Sequence, residues 1–357
     1  MRPLFDPTLQ NSAEDESDDY MVRPFRNIVA KYNRVASDLF ELSDLDSCDV
    51  AIVPVDWEHV RGGAKLVARP DRELISRIRS FAETVQRAGK PVIIFFASSM
   101  SHEPIPIKGA YVFRHAMFRS LSSDRDFAMP VVIARDIQKE FRSLTFAPAP
   151  RESKHKISFC GLARPLRNSE RLKSIPYLGY TLLKTGMRIP SPYLGLILRK
   201  QCLETLERSP LIDTDFIAQA RGVYLVRDKD KISKRESYRL PFVQNILDSP
   251  YHLSLRGSSN HSFRHWEILC CGRIPVYIDT DCGIPASDFV NWSDVMVRVD
   301  QQDVSQLIEH ILDFHNSFND SQFRDAQEKA RCLWEKWCTP HGFASKLYKY
   351  VERMSAP

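Results

Sequence analysis

Short apolar runs alternate with longer stretches whose apolar positions recur every three or four residues, along nearly the whole chain. "CDVAIVPV" (48–55) and "PVIIFFA" (91–97) are continuous apolar runs, the pattern of strands covered on both faces. Between them, "RELISRIRSFAETVQRAGK" (72–90) sets Leu74, Ile78, Phe81 and Val85 on one helical face, with Gly89 as a stop signal. "YVFRHAMF" (111–118) and "PVVIA" (130–134) read as further strands. Strands separated by helices predict parallel βαβ units.

The texture changes at "TFAPAPRESKHK" (145–156), which is Pro-rich, charged and without periodicity, and reads as a linker. The alternation then resumes. "KISFCGL" (156–162), "RGVYLVRD" (221–228), "YHLSL" (251–255), "RIPVYID" (273–279) and "SDVMVRVD" (293–300) read as strands. "GLILRKQCLETLER" (195–208) and "QDVSQLIEHILDFHNSF" (302–318) read as helices, and so does "SKRESYRLPFVQNILDS" (233–249), kinked or broken at Pro241. Helical patterns over 324–337 and 344–354 close the chain. The expected organisation is a flexible acidic segment (1–22), an α/β domain (23–150), a second α/β domain (151–330) and terminal helices (331–357) that pack back on the first domain. Two α/β halves in tandem leave a cleft, and ligands of such folds settle outside the carboxyl ends of the strands, where strand order reverses.

At 357 residues with 43% hydrophobic and 27% charged residues, the composition is that of a soluble protein with a sizeable core. The net charge of +5 leaves acids and bases nearly balanced, and no dense Lys/Arg tract interleaved with aromatics argues for nucleic acid. No apolar run is long enough to span a membrane, so peripheral association is the one membrane contact left open. The start, "MRPLFDPTLQ", lacks the apolar core of a secretory signal, and "NSAEDESDDY" is acidic and solvated. As written the chain reads cytoplasmic; a Golgi lumen follows if it was trimmed from an anchored enzyme. The eight cysteines form no C-x-x-C pair, which argues against zinc ribbons and thioredoxin-like chemistry. They read as buried thiols of a reducing compartment; in an oxidising one, Cys332 and Cys338 are the first candidates for bonding.

Candidate chemistry concentrates in "RGSSNHSFRHWE" (256–267), directly after a strand. Gly257 permits a tight backbone path, and Ser262 or Asn260 is placed to cap the helix that follows. A helix start offers free N–H groups to a phosphate, and Arg256 and Arg264 add guanidinium charge. Glu267, one turn beyond Arg264, is placed to accept ribose hydroxyls; the competing reading is a surface ion pair between the two. His261 and His265 have a metal-compatible spacing but no third ligand nearby, and the site is read as holding no metal.

The order of features from Tyr238 to Asp281 resembles the exostosin-like glycosyltransferases (glycosyltransferase family 47). The matching positions are Ser249 to Gly257, then Ser262, Arg264 and Glu267, then Gly272 to Val276, Asp279, and Asn291-Trp292. Upstream, "SFCGLARPLRNSERL" is similar to the family's Phe-x-Gly segment with a following arginine, here Arg171, with Arg167 second. The resemblance is strong over 157–312 and weak before 150. Departures at Tyr251-His252, Ile268 and Arg273 leave Arg264 and Glu267 in place. It implies a GT-B fold, an inverting transfer from a nucleotide-diphosphate sugar (UDP favoured) to a glycan hydroxyl, and no required metal or cofactor. It also implies that Arg171, Arg256, Gly257, Ser262, Arg264, Glu267 and Pro275 bind the donor. By this reading "DTD" (279–281) is the loop after the Pro-Val strand and not a metal motif.

Inverting transfer needs a base for the acceptor hydroxyl. Strand-end loops of the first half offer Asp56 and, second, Glu103. His115 sits near another strand end. Trp57, His59 and His102 are the expected acceptor contacts. Two alternatives stand beside this reading: a nucleotide-sugar epimerase of the same architecture, and a non-catalytic glycosyltransferase-like binding module. Oligomeric state is not legible.

Overall fold

The computed structural model describes residues 1–4, 6, 9, 38–130, 136–152, 155–186, 189–219 and 232–355, with 184–185 and 232–238 described by backbone alone. Two five-stranded parallel sheets organise them. The first contains β1 (Pro3–Leu4), β2 (Val50–Ile52), β3 (Val92–Phe96), β4 (Tyr111–Arg114) and β5 (Asp126–Ala128), adjacent in chain order. The second contains β6 (His155–Leu162), β7 (Ile212–Gln219), β8 (Tyr251–Ser254), β9 (Ile274–Asp279) and β10 (Val297–Asp300), in the order β10-β9-β8-β6-β7. The chain steps from β6 one way to β7 and then returns to the other side of β6 for β8. Strand order therefore reverses between β6 and β8, and their carboxyl ends open a crevice there. Helices pack around both sheets, and residues of both halves line a cavity between them.

In the first half, α1 (Trp57–Arg61) is capped by Asp56 and α2 (Arg72–Arg87) by Asp71, whose carboxylate accepts from Leu74 N at 2.9 Å. Of the expected face of α2, Ile78 and Val85 are buried with Ala82, and Leu74 and Phe81 are partly buried against the same core. After α3 (Ile137–Glu140), the second half holds α4 (Asn168–Thr185), α5 (Leu194–Glu207), α6 (Ile232–Leu247) and α7 (Phe263–Cys270). It continues with α8 (Leu307–Asn316), α9 (Asp320–Trp337) and α10 (Pro340–Met354).

Several elements differ from the sequence reading. Pro3 and Leu4 are an edge strand paired with Val50 and Ala51, so the first residues are not all solvated leader. The strand expected over 111–118 stops at Arg114, whose guanidinium donates to the carbonyls of Ser101 and Glu103 and ends the extended run. The helix at 233–249 is not broken: α6 runs through Pro241. Phe242, Val243 and Ile246 are buried there, and each contributes about 1.5–3 kcal/mol, enough to outweigh the proline's roughly 3 kcal/mol cost. The strand readings at 131–134 and 221–228 and the acidic stretch at 11–20 lie outside the described residues.

The last helix lies on the first sheet. Tyr350 of α10 packs edge-on to Phe113 and Phe127 at 5.1 and 5.2 Å, and Tyr111 Oη donates to the Met354 carbonyl. All eight cysteines are free thiols, seven of them buried. Cys332 lies within α9 and Cys338 caps it, so the six intervening steps of helical rise hold them about 9 Å apart, too far to bond. No helix among the described residues is long and apolar enough to cross a membrane.

Tyr350 is fully buried where the terminal helix meets the first sheet. Tyr350→Ala is expected to cost about 3–5 kcal/mol in guanidinium unfolding, the range for removing a buried aromatic; a loss below about 1 kcal/mol would show that the helix is not anchored there.

Candidate functional site

The turn after β8 carries Arg256 into the cleft at the β6–β8 reversal. Its guanidinium is 3% exposed, and its Nε and Nη1 have no hydrogen-bond partner among the described residues. It lies 5.7 Å from the Phe118 ring of the first half. The small cavity beside it, 20 Å³, is lined by His115 and Met129 from the first half and by Asn260, His261, Ser262 and Tyr277 among others from the second. No carboxylate lines it. Burial lowers the Arg256 pKa to about 10, which leaves the group charged at neutral pH.

The imidazoles of His102, His261 and His265 near this cation are neutral. Burial lowers the pKa values of His102 and His261 to about 4, with the Arg256 charge adding to the effect on both. Burial alone takes His265 to about 3. The His115 and His261 rings meet across the cleft at 6.0 Å. A buried cation among neutral rings is expensive unless an anion meets it, because desolvation costs several kcal/mol that no counter-charge returns.

The turn is held rigidly from below. Arg199 of α5 donates to the Arg256 carbonyl at 2.9 Å and to the Leu162 carbonyl at 2.9 Å, tying β6 and β8 together at their reversal. Gly257 N donates to the His261 carbonyl at 3.0 Å and closes the loop. α5 can come this close only because residue 195 is glycine. A Cβ there would lie 2.6 Å from the Arg256 carbonyl oxygen and 2.7 Å from that of Gly257.

The structure separates the other expected donor contacts. Ser262 is the N-cap of α7 and lines the cavity, although its side chain makes no capping bond. Arg264 turns back onto β6: Nη2 donates to the Cys160 carbonyl at 2.6 Å, and the guanidinium stacks on Phe159 at 4.6 Å. Gly161 makes room for it, since a Cβ there would meet Nη2 at 2.2 Å. Glu267 is paired with Arg239 of α6, which also approaches Glu140 at 3.7 Å, so this carboxylate ties helices together. Pro275 lies near the start of β9 opposite His252, and in a parallel sheet strand starts lie at the end away from the Arg256 turn. Arg171 is exposed on α4.

The expected bases are also engaged. Asp56 is 4% exposed, and its two oxygens accept from Glu58 N at 2.8 Å and Ala97 N at 2.9 Å. Both Glu103 oxygens take Arg61, at 2.7 and 2.8 Å. Each carboxylate fixes a strand-end loop, and protonating either would break those bonds. Trp57 is 4% exposed in the core of the first half and offers no face for a sugar. His59 is exposed on α1. His102, in contrast, lies against Phe118 at 5.9 Å beside the cleft, and its Nε2 has no hydrogen-bond partner among the described residues.

The interdomain clasp was not legible in sequence. Arg119 of the first half donates to both oxygens of Asp279, at 3.1 and 2.9 Å, and to the Cys282 carbonyl at 2.7 Å. Arg298 donates to the same carboxylate at 2.8 Å. Asn260 and Gly283 both donate to the Met117 carbonyl. The "DTD" carboxylate at 279 is thus neutralised by guanidinium groups, and no His/Cys/Asp/Glu cluster suited to a metal occurs among the described residues. Only the Asp in the loop after the Pro-Val strand hinted at this; its partners, Arg119 and Arg298, lie far away in sequence.

No protein-family model matches the chain, and no curated protein does. Among solved structures, the chain is similar to TarM, with a TM-score of 0.34 and 11% identity over 74% of this chain and 55% of that one. It is similar to a glycosyltransferase from Rickettsia africae ESF-5, with a TM-score of 0.38 and 10% identity over 99% and 97% of the two chains. It is also similar to sucrose-phosphate synthase from Thermosynechococcus elongatus, with a TM-score of 0.34 and 10% identity over 99% of each. The chain spans about half the length of TarM. Likenesses this distant identify no substrate, and the exostosin-like resemblance rests on its motifs alone.

Burial alone would raise the Asp279 pKa, but hydrogen bonds from Arg119 and Arg298 outweigh it and hold the carboxyl below its ordinary value. A carboxyl lowered in the folded state contributes stability above its unfolded pKa and loses it as pH falls through the folded one. The clasp should therefore weaken only below about pH 4. Asp279→Asn should remove about 1–2 kcal/mol at neutral pH, a modest value because both arginines are partly exposed, and should flatten the acid limb of a Tm-against-pH curve. An unchanged acid limb would exclude the clasp as its source.

Proposed function

We propose that the chain is a glycosyltransferase that binds a nucleotide-diphosphate sugar in the cleft, with Arg256 gripping the diphosphate. The observation that carries this reading is the buried, unneutralised Arg256 guanidinium at the strand-order reversal of the second sheet. A guanidinium can hold phosphate oxygens in two directions at once, and the α7 start beside it adds backbone N–H groups. The exostosin-like motif order supports a UDP-sugar donor, inversion at the anomeric carbon and a glycan hydroxyl as acceptor. The arginine-rich surroundings support leaving-group neutralisation by protein groups. Arg171 and Arg264 are assigned as outlying positive charge, Arg264 by shaping the β6 end and not by direct grip.

On the first-half side, His102 and His115 replace Asp56 and Glu103 as the groups placed to take the acceptor proton. His102 is a neutral imidazole near Arg256 and His115 lines the cavity beside it, whereas both carboxylates are engaged by backbone N–H groups or Arg61. An incoming diphosphate would raise the basicity of His102 by opposing the arginine charge. A cavity of 20 Å³ holds about one water, so donor entry requires the two halves to part.

The test is a turnover screen of purified chain against common nucleotide sugars with glycan acceptors, following nucleoside diphosphate release and the anomeric configuration of product. Transfer with inversion from a UDP-sugar is expected. Release of a free epimerised sugar without acceptor would point to an epimerase instead, and no turnover with any donor, together with no thermal shift by any nucleoside diphosphate, would sink the proposal. In an active preparation, His102→Ala and His115→Ala should separate the base from a bystander: loss of the base lowers kcat by about 10²–10⁴ with donor affinity retained.

A further inference from the structure

We infer that α4 is a docking face for an anionic membrane surface. α4 is 18 residues long, about 27 Å, and Thr181 is its one buried residue among those with described side chains. Its inner face consists of Glu170, Ser174, Tyr177 and Thr181. Glu170 pairs with Arg164, and the Ser174 hydroxyl meets that of Ser191 at 2.8 Å. Its outer face is apolar. At 100° per residue, Leu172, Ile175, Gly179, Leu182 and Leu183 fall within an arc of about 100°, opposite the inner face. Leu172 and Ile175 are each 68% exposed and Leu183 is 89% exposed. Single exposed leucines are ordinary, but a stripe running the length of a helix is not.

The flanks of the stripe decide what covers it. Arg167 and Arg171 border it on one side and Lys173 on the other, all exposed, while Glu170, the sole acid of α4, is neutralised by Arg164. An apolar face edged by cations is the pattern of helices that lie in the plane of a bilayer interface, with long basic side chains reaching up to anionic headgroups. A second copy of this chain paired in parallel would bring Arg171 and Lys173 of one helix against those of the other. No helix among the described residues is long and apolar enough to cross the bilayer.

The position of α4 gives the contact a consequence. The helix follows β6 directly at the strand-order reversal. Docking would hold the mouth of the cleft at the membrane surface, whatever the cleft binds.

The experiment is flotation of the full chain with phosphatidylcholine vesicles and with vesicles containing about 30% phosphatidylserine. Binding to the anionic vesicles at low salt, lost at about 0.5 M salt as screening shortens the reach of the charges, is expected. Leu172→Glu with Leu183→Glu should weaken it by more than about tenfold, since two exposed apolar side chains no longer enter the interface. Arg171→Glu and Lys173→Glu test the same face through charge and should each cost at least about fivefold. All four sites are exposed, and an unchanged Tm verifies that the variants fold. No binding to anionic vesicles, or binding that all four substitutions leave unchanged, would overturn the inference. So would a dimer by analytical ultracentrifugation that the leucine substitutions dissolve.

Discussion

A buried guanidinium that no salt bridge among the described residues neutralises organises the cleft. Arg256 lines a small cavity between the two halves, together with imidazoles and aromatics, and no carboxylate lines it. Proteins seldom keep a buried guanidinium without a counter-charge, because its desolvation is returned only by a partner. The rest of the second half reads as scaffolding for that placement. Arg199 fixes the backbone of the turn, Gly195 lets α5 approach it, and the parallel register of β6 and β8 sets the reversal at which it emerges.

The first half contributes the opposite wall and the means of holding it. Asp56 and Glu103 fix the loops after β2 and β3, which in turn set His102 and the Phe118 segment against Arg256. The Arg119–Asp279–Arg298 clasp and the Arg331–Asp136 pair bind the halves at two further points. α10, packed on the first sheet through Tyr350, makes the end of the chain part of the first half's core. A ligand larger than a water therefore works against polar contacts that can re-form in water, which is the kind of interface that permits domain opening.

Much of this was legible from periodicity. The runs at 48–55, 91–97, 156–162, 251–255 and 273–279 are strands because buried parallel strands read as unbroken apolar sequence, and this carried the two-half α/β reading. β7 and α4 escaped for the complementary reason. β7 is an edge strand with the polar pattern "IDTDFIAQ", and α4 exposes the apolar residues by which a helix is normally recognised. Arg256 was read as a donor contact from its place after a strand, and the structure makes it the centre of the cavity. The tertiary partners of Arg264 and Glu267 were not legible, because spacing along a helix states which residues are neighbours and not which of them tertiary partners will claim. Arg239, some way off in sequence, takes Glu267, and the Cys160 carbonyl takes Arg264.

The most direct measurement is made on Arg256→Leu, comparing unfolding free energy and UDP affinity with those of the parent chain. If the charge is buried to meet an anion, the variant should be as stable as the parent or more so, while UDP binding falls by about a hundredfold or more. A variant that loses several kcal/mol of stability, or that binds UDP as the parent does, would contradict the assignment of Arg256 as the anion-gripping group.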